Sequence, residues 1–249
     1  MIFLISIGLY EKENMSIKAM ETAKKCDKLY IERYTSYYKT TNEELEKYLG
    51  KKIEQLTREE FEDGRKIIEE GKTKNVGVLV IGDALSATTH TALILEARKK
   101  GIKTEIIHGS SILTAIAETG LIIYNFGKTT SIVFHNENIV EPYNTIKKNK
   151  NLHTLALLDM DNEKNKYMTT QEAINYLLRV EEKKKEGVFT EDTKVVLIAA
   201  MGGEQEMRFG KVSEMKKVTL KGVPQSLIVV GKLHFMEEEF LETLNKKLK

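Results

Sequence analysis

The chain has 249 residues, of which 41% are hydrophobic and 31% are charged, so its composition excludes a disordered chain and allows one large core or two smaller ones. The net charge of +2 gives no drive toward nucleic acid or an anionic membrane. Cys26 is the single cysteine, which excludes an internal disulfide and fits a reducing compartment.

No apolar run approaches the roughly 20 residues that a membrane span needs. Met1–Leu9 is apolar but lacks a basic leader and a cleavage site, which favours a strand over a signal peptide. We therefore expect a cytoplasmic protein. Cys26 follows a predicted helix, and no histidine is placed near it in sequence, so we expect a structural role for it.

The first half of the chain alternates apolar strands with amphipathic helices. The predicted strands are Met1–Ile7, Lys28–Arg33, Asn75–Ile81 and Lys103–Ile107, and the predicted helices run through Ile17–Ala23, Asn42–Leu49, Thr57–Glu70 and Thr88–Lys99. Thr57 and Glu60 form a capping box, and Asn75–Ile81 has the composition of a central strand buried on both faces. This alternation predicts a mostly parallel sheet with right-handed crossovers.

The pattern restarts after Gly109, which predicts an α/β protein with two domains, residues 1–109 and 110–249. In the second domain the predicted helices are Ser110–Ile116, Thr169–Val180 and Glu237–Leu244, and the predicted strands are Ser131–Phe134, His153–Asp159, Val195–Ala199 and Ser226–Val230.

Five predicted strand exits combine glycine with polar residues. They are Ser6–Tyr10, Ile81–His90, His108–Ile112, Ala200–Gly203 and Gly231–Phe235. Ligands of open α/β sheets bind at the carboxyl ends of strands, where Asp83 could accept hydrogen bonds from an amine or a ribose. Backbone N–H groups near Ser111 could hold a carboxylate. The alternative is that Asp83, Thr88 and Ser111 only cap helices.

Several site types are absent from the sequence. No two histidines are spaced i, i+3 or i, i+4, and no cysteine cluster supports them, so we predict no metal site. The sequence also lacks a P-loop, a G-x-G-x-x-G fingerprint and a nucleophile elbow. These patterns by themselves indicate an α/β protein that binds a small ligand at its strand ends, with His90 as the histidine of most interest.

Short motifs in a fixed order run along almost the whole chain. They include Ile7–Tyr10, Lys24–Asp27, Tyr34–Ser36, Gly82–Asp83, Ala87–His90, Thr119–Leu121, Phe126–Lys128, Leu152–Leu155, Leu158–Asp159, Tyr167–Thr169, Gly187–Thr190 and Gly231–His234. Together they resemble the diphthine synthase family of tetrapyrrole-methylase-like methyltransferases, and the archaeal members more than the animal or fungal ones. The Ala-Thr-Thr-His stretch, Ala87–His90, is the most diagnostic.

The resemblance implies two α/β domains of the tetrapyrrole-methylase type, with S-adenosylmethionine in the cleft between them, and a homodimer. The cofactor, converted to S-adenosylhomocysteine, is expected to contact residues from both domains. These residues are Leu9, Asp83, Ser86, Ser111, Ile112, Leu158, Met201 and Gln225. No nucleic acid, membrane or metal partner is implied.

The resemblance also implies the acceptor, a histidine of translation elongation factor 2 that carries a 3-amino-3-carboxypropyl group. Archaeal-type members methylate its amine up to three times to give diphthine, and eukaryotic members also esterify the carboxylate. Direct displacement leaves a neutral thioether, so no acid is needed, and catalysis comes mainly from holding the reacting groups in line. We assign no catalytic residue from the sequence.

The sequence departs from the family pattern at a few positions. Ser6 stands where the family has a first-strand glycine, and Ala84 stands where a proline is frequent. Ala200 stands where the family has an arginine, and Gln225 where a histidine is frequent. The loop around Pro142 is shortened. Two alternatives remain open at the level of sequence. One is a methyltransferase of the same fold that acts on a tetrapyrrole or on RNA, and the other is a degenerate, non-enzymatic ligand-binding homologue.

Overall fold

A computed structural model of the chain describes residues 1–245. The chain divides into two compact units, Met1–Ala115 and Ile116–Lys249. The sequence-based division lies after Gly109, so the segment 110–115, assigned there to the second domain, belongs to the first unit. Residues 246–249 of the predicted second domain lie outside the described residues.

The first unit has a five-stranded sheet in the order β3-β2-β4-β1-β5. Its elements are β1 (Ile2–Ser6), α1 (Ile17–Lys25), β2 (Lys28–Glu32), α2 (Asn42–Leu49), β3 (Ile53–Leu56), α3 (Arg58–Asp63), α4 (Arg65–Gly71), β4 (Val76–Val80), α5 (Thr91–Lys99), β5 (Thr104–Ile107) and α6 (Ile112–Ala115). Every strand pair of this sheet is parallel, as the sequence predicted for this half of the chain.

Strand β4 lies at the centre of this unit and is buried along its whole length, which confirms the prediction of a strand covered on both faces. Val76, Val78 and Val80 pack in one apolar cluster, and Leu79 and Ile81 pack in another. The alternation follows from the strand geometry, because successive side chains point to opposite faces of the sheet. The two clusters are the apolar cores of the first unit.

Two details of the first unit differ from the sequence prediction. The single helix predicted over 57–70 is two helices, because Gly64 adopts a left-handed conformation (φ 63°) that ends α3 and begins α4. Strand β3 was not predicted. It has four residues, of which only Ile53 and Leu56 are buried, and this is too short for a readable alternation.

The second unit has a mixed sheet in the order β11-β10-β12-β7-β6 and a separate two-stranded ribbon. Its elements are β6 (Thr130–Ile132), α7 (Glu141–Asn149), β7 (Thr154–Leu158), β8 (Met160–Asp161), β9 (Lys166–Tyr167), α8 (Thr170–Lys184), β10 (Lys194–Ala199), β11 (Glu206–Lys211), α9 (Val212–Met215), β12 (Gln225–Val229) and α10 (Phe235–Thr243). Short 3₁₀ segments occur at Lys12–Asn14, Ile116–Thr119 and Ile123–Asn125.

The sheet of the second unit does not share the parallel arrangement of the first. Only β6 and β7 pair in parallel, whereas β12 pairs antiparallel with β7 and with β10, and β11 pairs antiparallel with β10. Strand β11 is not among the predicted strands. It follows β10 after a short turn, and short connections of this kind favour antiparallel neighbours. Helix α7, in which Pro142 occupies the first turn, is also absent from the predicted elements.

In the part of the chain from residue 1 to residue 245, no helix combines the length and the apolar character that crossing a membrane requires. Cys26 is buried at the end of α1, where its thiol donates to the Thr22 carbonyl oxygen. Burial raises the pKa of the Cys26 thiol to about 11. These features agree with the expected structural role of Cys26, because a protonated, inaccessible thiol is a poor nucleophile.

Candidate functional site

Three neighbouring strands of the first unit end at one edge of the sheet. Strand β1 lies between β4 and β5, and all three run parallel, so their carboxyl ends meet. Gly8 and Gly82 exchange backbone hydrogen bonds of 3.3 and 2.8 Å across two of these exits. The Leu9 N–H donates to the Ser110 hydroxyl at 3.3 Å and connects β1 to the third exit. The structure therefore brings together the three strand exits predicted in this unit, which are Ser6–Tyr10, Ile81–His90 and His108–Ile112.

Asp83 is the central polar group of this edge. One carboxylate oxygen accepts from the Leu85 N–H and the Ser86 hydroxyl, both at 3.1 Å. The other accepts from His108 Nδ1 at 2.8 Å and from the Gly109 N–H at 3.2 Å. Burial opposes the charged form, but these four hydrogen bonds outweigh it and hold the pKa of Asp83 below its usual value.

The alternative in which Asp83 and Thr88 only cap the next helix is wrong. Helix α5 begins at Thr91, its N-cap is His90, and no side chain caps it. Thr88 instead donates to the Ala84 carbonyl oxygen at 2.8 Å. Asp83 therefore organises its own turn and connects the β4 exit to the β5 exit.

Two positions that depart from the family pattern contact each other at this edge. The Ser6 hydroxyl accepts a hydrogen bond from the Ala84 N–H at 2.9 Å, and both residues are buried. A proline at position 84 would have no N–H, and a glycine at position 6 would have no hydroxyl. The serine therefore satisfies the buried N–H group of Ala84.

Ser111 and Ile112 complete the predicted set in the first unit. Ser111 is buried, and its hydroxyl accepts from the Leu113 N–H at 3.2 Å at the start of α6. Ile112 is the first residue of this four-residue helix and is half-buried. Leu9 and Ser86 are also half-buried, so three of the five predicted residues in this unit retain exposed surface.

A fully buried ionisable pair lies behind the Asp83 turn. His90 Nδ1 hydrogen-bonds the Ala84 carbonyl oxygen at 3.0 Å, and Nε2 lies 3.8 Å from the Glu32 carboxylate without a hydrogen bond. Thr35 donates to Glu32 through its hydroxyl and its N–H. Burial raises the pKa of Glu32 and lowers that of His90, so both side chains favour their neutral forms. The pair supports the turn from inside the unit.

The predicted residues of the second unit also come together, through strand register. Gln225 at the start of β12 pairs with Ala199 at the end of β10, and its neighbour Ser226 pairs with Leu157 in β7. Leu158, Met201 and Gln225 therefore belong to one edge of the mixed sheet, and all three are buried. The antiparallel course of β12 creates this arrangement, which a parallel sheet would not give.

The Gln225 amide is fully used inside the second unit. Its oxygen accepts from the Thr170 N–H at 2.9 Å and from the Thr170 hydroxyl at 3.3 Å. Its nitrogen donates to the carbonyl oxygens of Leu220 at 3.3 Å and Gly222 at 3.1 Å. Gln225 thus holds the start of α8 against the turn before β12.

His108 lies at the sheet edge of the first unit beside Asp83, and it is not among the cofactor-binding residues predicted from the sequence. It is 71% exposed, and its Nδ1 is held by a buried carboxylate. Its segment, His108–Ile112, is one of the predicted strand exits. The two partners are nevertheless 25 residues apart, and only the order of the sheet brings them together. Across residues 1–245, no group of three or more acidic, histidine or cysteine side chains could hold a metal ion.

Comparison with known proteins gives the class to which this fold and site belong. Residues 1–216 match the family model of the tetrapyrrole (corrin/porphyrin) methylases. A solved structure described as a diphthine synthase superposes with a TM-score of 0.90 at 35% identity, and covers 98% of this chain and 95% of its own. The chain therefore belongs to the tetrapyrrole methylase family, whose members are methyltransferase enzymes.

The curated relatives show to which group of tetrapyrrole methylases the chain is similar. A diphthine synthase of Methanocaldococcus jannaschii is 44% identical over 253 residues, and one of Methanococcus vannielii is 43% identical over 251 residues. Each alignment covers 98% of both chains. Within the tetrapyrrole methylases the chain groups with the diphthine synthases, which confirms the interpretation from the sequence motifs. The alternatives of a different acceptor class or a non-enzymatic homologue are not favoured.

Proposed function

We propose that this protein transfers methyl groups from S-adenosylmethionine to the amine of the 3-amino-3-carboxypropyl-histidine of translation elongation factor 2, which gives diphthine. The observation that carries the proposal is the full-length similarity to archaeal diphthine synthases at 43–44% identity. The gathered strand exits of the first unit support it, because such exits are where α/β proteins bind nucleoside ligands.

The residues at the first edge suit the cofactor. The Asp83 carboxylate complements the ammonium of a methionine moiety, and the Ser111 region offers hydroxyl and N–H groups for its carboxylate. We assign Leu9, Ser86 and Ile112, the half-buried members of the set, as further contacts.

We also assign the set in the second unit to the cofactor. Leu158 and Met201 are the buried apolar side chains of this edge, and Gln225 holds the edge on which they lie. A change at either apolar residue is expected to weaken binding without removing it, because burying one apolar side chain stabilises by about 1.5–3 kcal/mol at most.

The chemistry required of the chain is mainly positional. Bound S-adenosylmethionine supplies a methyl group made electrophilic by the positive sulfur. The protein has to hold the acceptor amine in line with that methyl group and exclude water, and orientation of this kind lowers barriers by about 7–11 kcal/mol in favourable cases. An uncharged amine is needed for attack, and partial desolvation favours that form.

We further propose a homodimer in the cytoplasm. The second unit exposes an apolar edge formed by Ile122, Ile123, Tyr124, Phe235, Met236 and Phe240. The two segments of this edge are joined, because the buried Glu237 carboxylate of α10 accepts from the Ile122 N–H at 2.8 Å. A cluster of large exposed apolar side chains is typical of an association site.

The decisive experiment is intact-mass measurement of elongation factor 2 that carries the modified histidine, after incubation with this protein and S-adenosylmethionine. We expect a gain of three methyl groups. A fourth would identify an ester-forming enzyme. No gain, with cofactor binding still seen by calorimetry, would contradict the proposed acceptor, and absence of both would contradict the proposed function entirely.

A further inference from the structure

The contact between Asp83 and His108 fixes the proton position on the imidazole. A carboxylate only accepts hydrogen bonds, so the 2.8 Å contact requires that His108 Nδ1 carries a proton. In the neutral ring, Nε2 is then the unprotonated nitrogen. The side chain is 71% exposed while Asp83 is buried, so the ring is anchored on one side and open to a ligand on the other. This is the arrangement of a carboxylate-oriented base.

Methylation of an amine creates a need for such a base. Each transfer forms an N–CH₃ bond, breaks the S–CH₃ bond with its electron pair passing to sulfur, and leaves the nitrogen positively charged. A proton has to leave that nitrogen before its lone pair can attack again. Three methylations that start from an ammonium group therefore release three protons, and an ordered acceptor for them would speed every round.

We propose that His108 is a catalytic residue, whose Nε2 removes the proton from the acceptor amine, and that Asp83 is its positioning residue. This inference rests on the function proposed above. The proton moves from the amine nitrogen to Nε2 and gives an imidazolium that the Asp83 carboxylate stabilises through Nδ1–H. The exposed ring then returns the proton to water.

Other ionisable groups near this edge are unsuited to the task. Asp83 already accepts four hydrogen bonds, which occupy its lone-pair sites. Glu32 and His90 are completely buried behind the turn and cannot reach a ligand. His108 combines exposure with a fixed orientation, and this combination distinguishes it from the exposed His135 of the second unit, which no carboxylate pairs within the described residues.

The first test uses the variants His108→Gln and His108→Ala with modified elongation factor 2 and saturating S-adenosylmethionine. We expect kcat to fall by about 10²- to 10⁴-fold, the usual contribution of a general base. Cofactor affinity measured by calorimetry should change by less than about threefold, because less than 1 kcal/mol of binding is lost. Singly and doubly methylated products should accumulate, and added imidazole should restore part of the His108→Ala rate. His135→Ala is the matched control and should retain the full rate.

The second test needs no cofactor and no acceptor. In ¹⁵N-labelled protein, the ring resonances of His108 should show a protonated Nδ1 and an unprotonated Nε2, and Asp83→Asn should abolish this preference. Full activity of His108→Ala, absence of imidazole rescue, or a protonated Nε2 in the neutral ring would overturn the proposal. A wild-type protein that leaves the mass of elongation factor 2 unchanged would instead overturn the proposed function, and with it the role of His108.

Discussion

At the scale of single residues, paired departures from a family pattern can be read together once their contact is known. Ser6 and Ala84 are far apart in sequence, and each looks like the loss of a family feature. Their 2.9 Å hydrogen bond shows that one supplies the acceptor that the other requires. They therefore preserve the turn that carries Asp83 and give no support to a degenerate site.

The first prediction concerns Asp83. Asp83→Asn should reduce cofactor affinity at least about tenfold and lower the free energy of unfolding by about 1–3 kcal/mol, because an amide nitrogen would face donors that now share a carboxylate. Calorimetry and urea unfolding measure the two effects. Asp161→Asn, which removes an exposed ion pair with Lys164, is the matched control and should leave affinity unchanged. Equal affinities in the two variants would contradict the site assignment.

The second prediction concerns the buried Glu32. Its folded-state pKa is raised above 4.5 by burial, so its contribution to stability is fully present below pH 4.5 and is lost as the pH rises through the folded value. Glu32→Gln should therefore gain stability relative to the wild type as the pH rises from about 4.5. Urea unfolding over a pH series measures this difference.

Glu54 provides a control in which the pKa is shifted in the opposite direction. Hydrogen bonds from Lys28 and Lys66 lower the pKa of Glu54 below 4.5. Its contribution to stability is present above pH 4.5 and is lost as the pH falls. Glu54→Gln should thus lose stability relative to the wild type as the pH rises, while Glu32→Gln gains it. The same trend in both variants would show that burial does not govern Glu32.

At the scale of elements, local conformation overrides the helical pattern at Gly64. The apolar spacing and the capping box of Thr57 and Glu60 predict one helix, and that capping box is present. Gly64 nevertheless adopts a left-handed conformation, which ends α3 and begins α4. Glycine adopts this left-handed conformation without strain, but the apolar periodicity of the sequence does not indicate where it does so.

The third prediction follows from that turn. Gly64→Ala should lower the free energy of unfolding by about 1–2 kcal/mol from the left-handed backbone alone, and further because the new Cβ would lie 3.2 Å from Leu93 Cδ1. Gly50→Ala is the matched control, since Gly50 has a similar φ of 67° but no atom within 4 Å of an added Cβ. If thermal unfolding shows the same loss of free energy of unfolding in both variants, the contact with Leu93 does not contribute to the destabilisation.

At the scale of the whole molecule, the exposed apolar edge of the second unit carries the proposal of a dimer. The fourth prediction is that the double variant Tyr124→Arg with Phe235→Arg sediments as a monomer where the wild type sediments as a dimer. Tyr124 is 95% exposed and Phe235 is 70% exposed, so neither change disturbs a core. Placing charges in an apolar contact disfavours association by desolvation.

The control for this prediction lies on the other unit. Ile17 is 73% exposed, and Ile17→Arg adds one positive charge at a different exposed apolar position. Sedimentation velocity of the two variants separates a specific interface from a general effect of charge. A double variant that remains dimeric would exclude the apolar edge as the contact, and a monomeric wild type would exclude the dimer.

The sequence by itself determined the periodic elements and the family. Runs such as 75–81 and caps such as Thr57 are local, so short-range steric and hydrophobic rules are enough to place them. The order of the motifs alone is enough to indicate a methyltransferase of this family. The five strand exits were also visible, because glycine next to a polar residue after an apolar run is a local signal.

Only the tertiary structure decided which of these groups act together. The antiparallel course of β12 brings Gln225 beside the ends of β7 and β10, and the order of the first sheet brings His108 to Asp83. Strand order and direction depend on contacts between residues that are distant in the chain, and no local pattern encodes those contacts. The sequence therefore supplied the candidate groups, and the packing of the sheets brought together the pair, His108 and Asp83, to which we assign proton transfer.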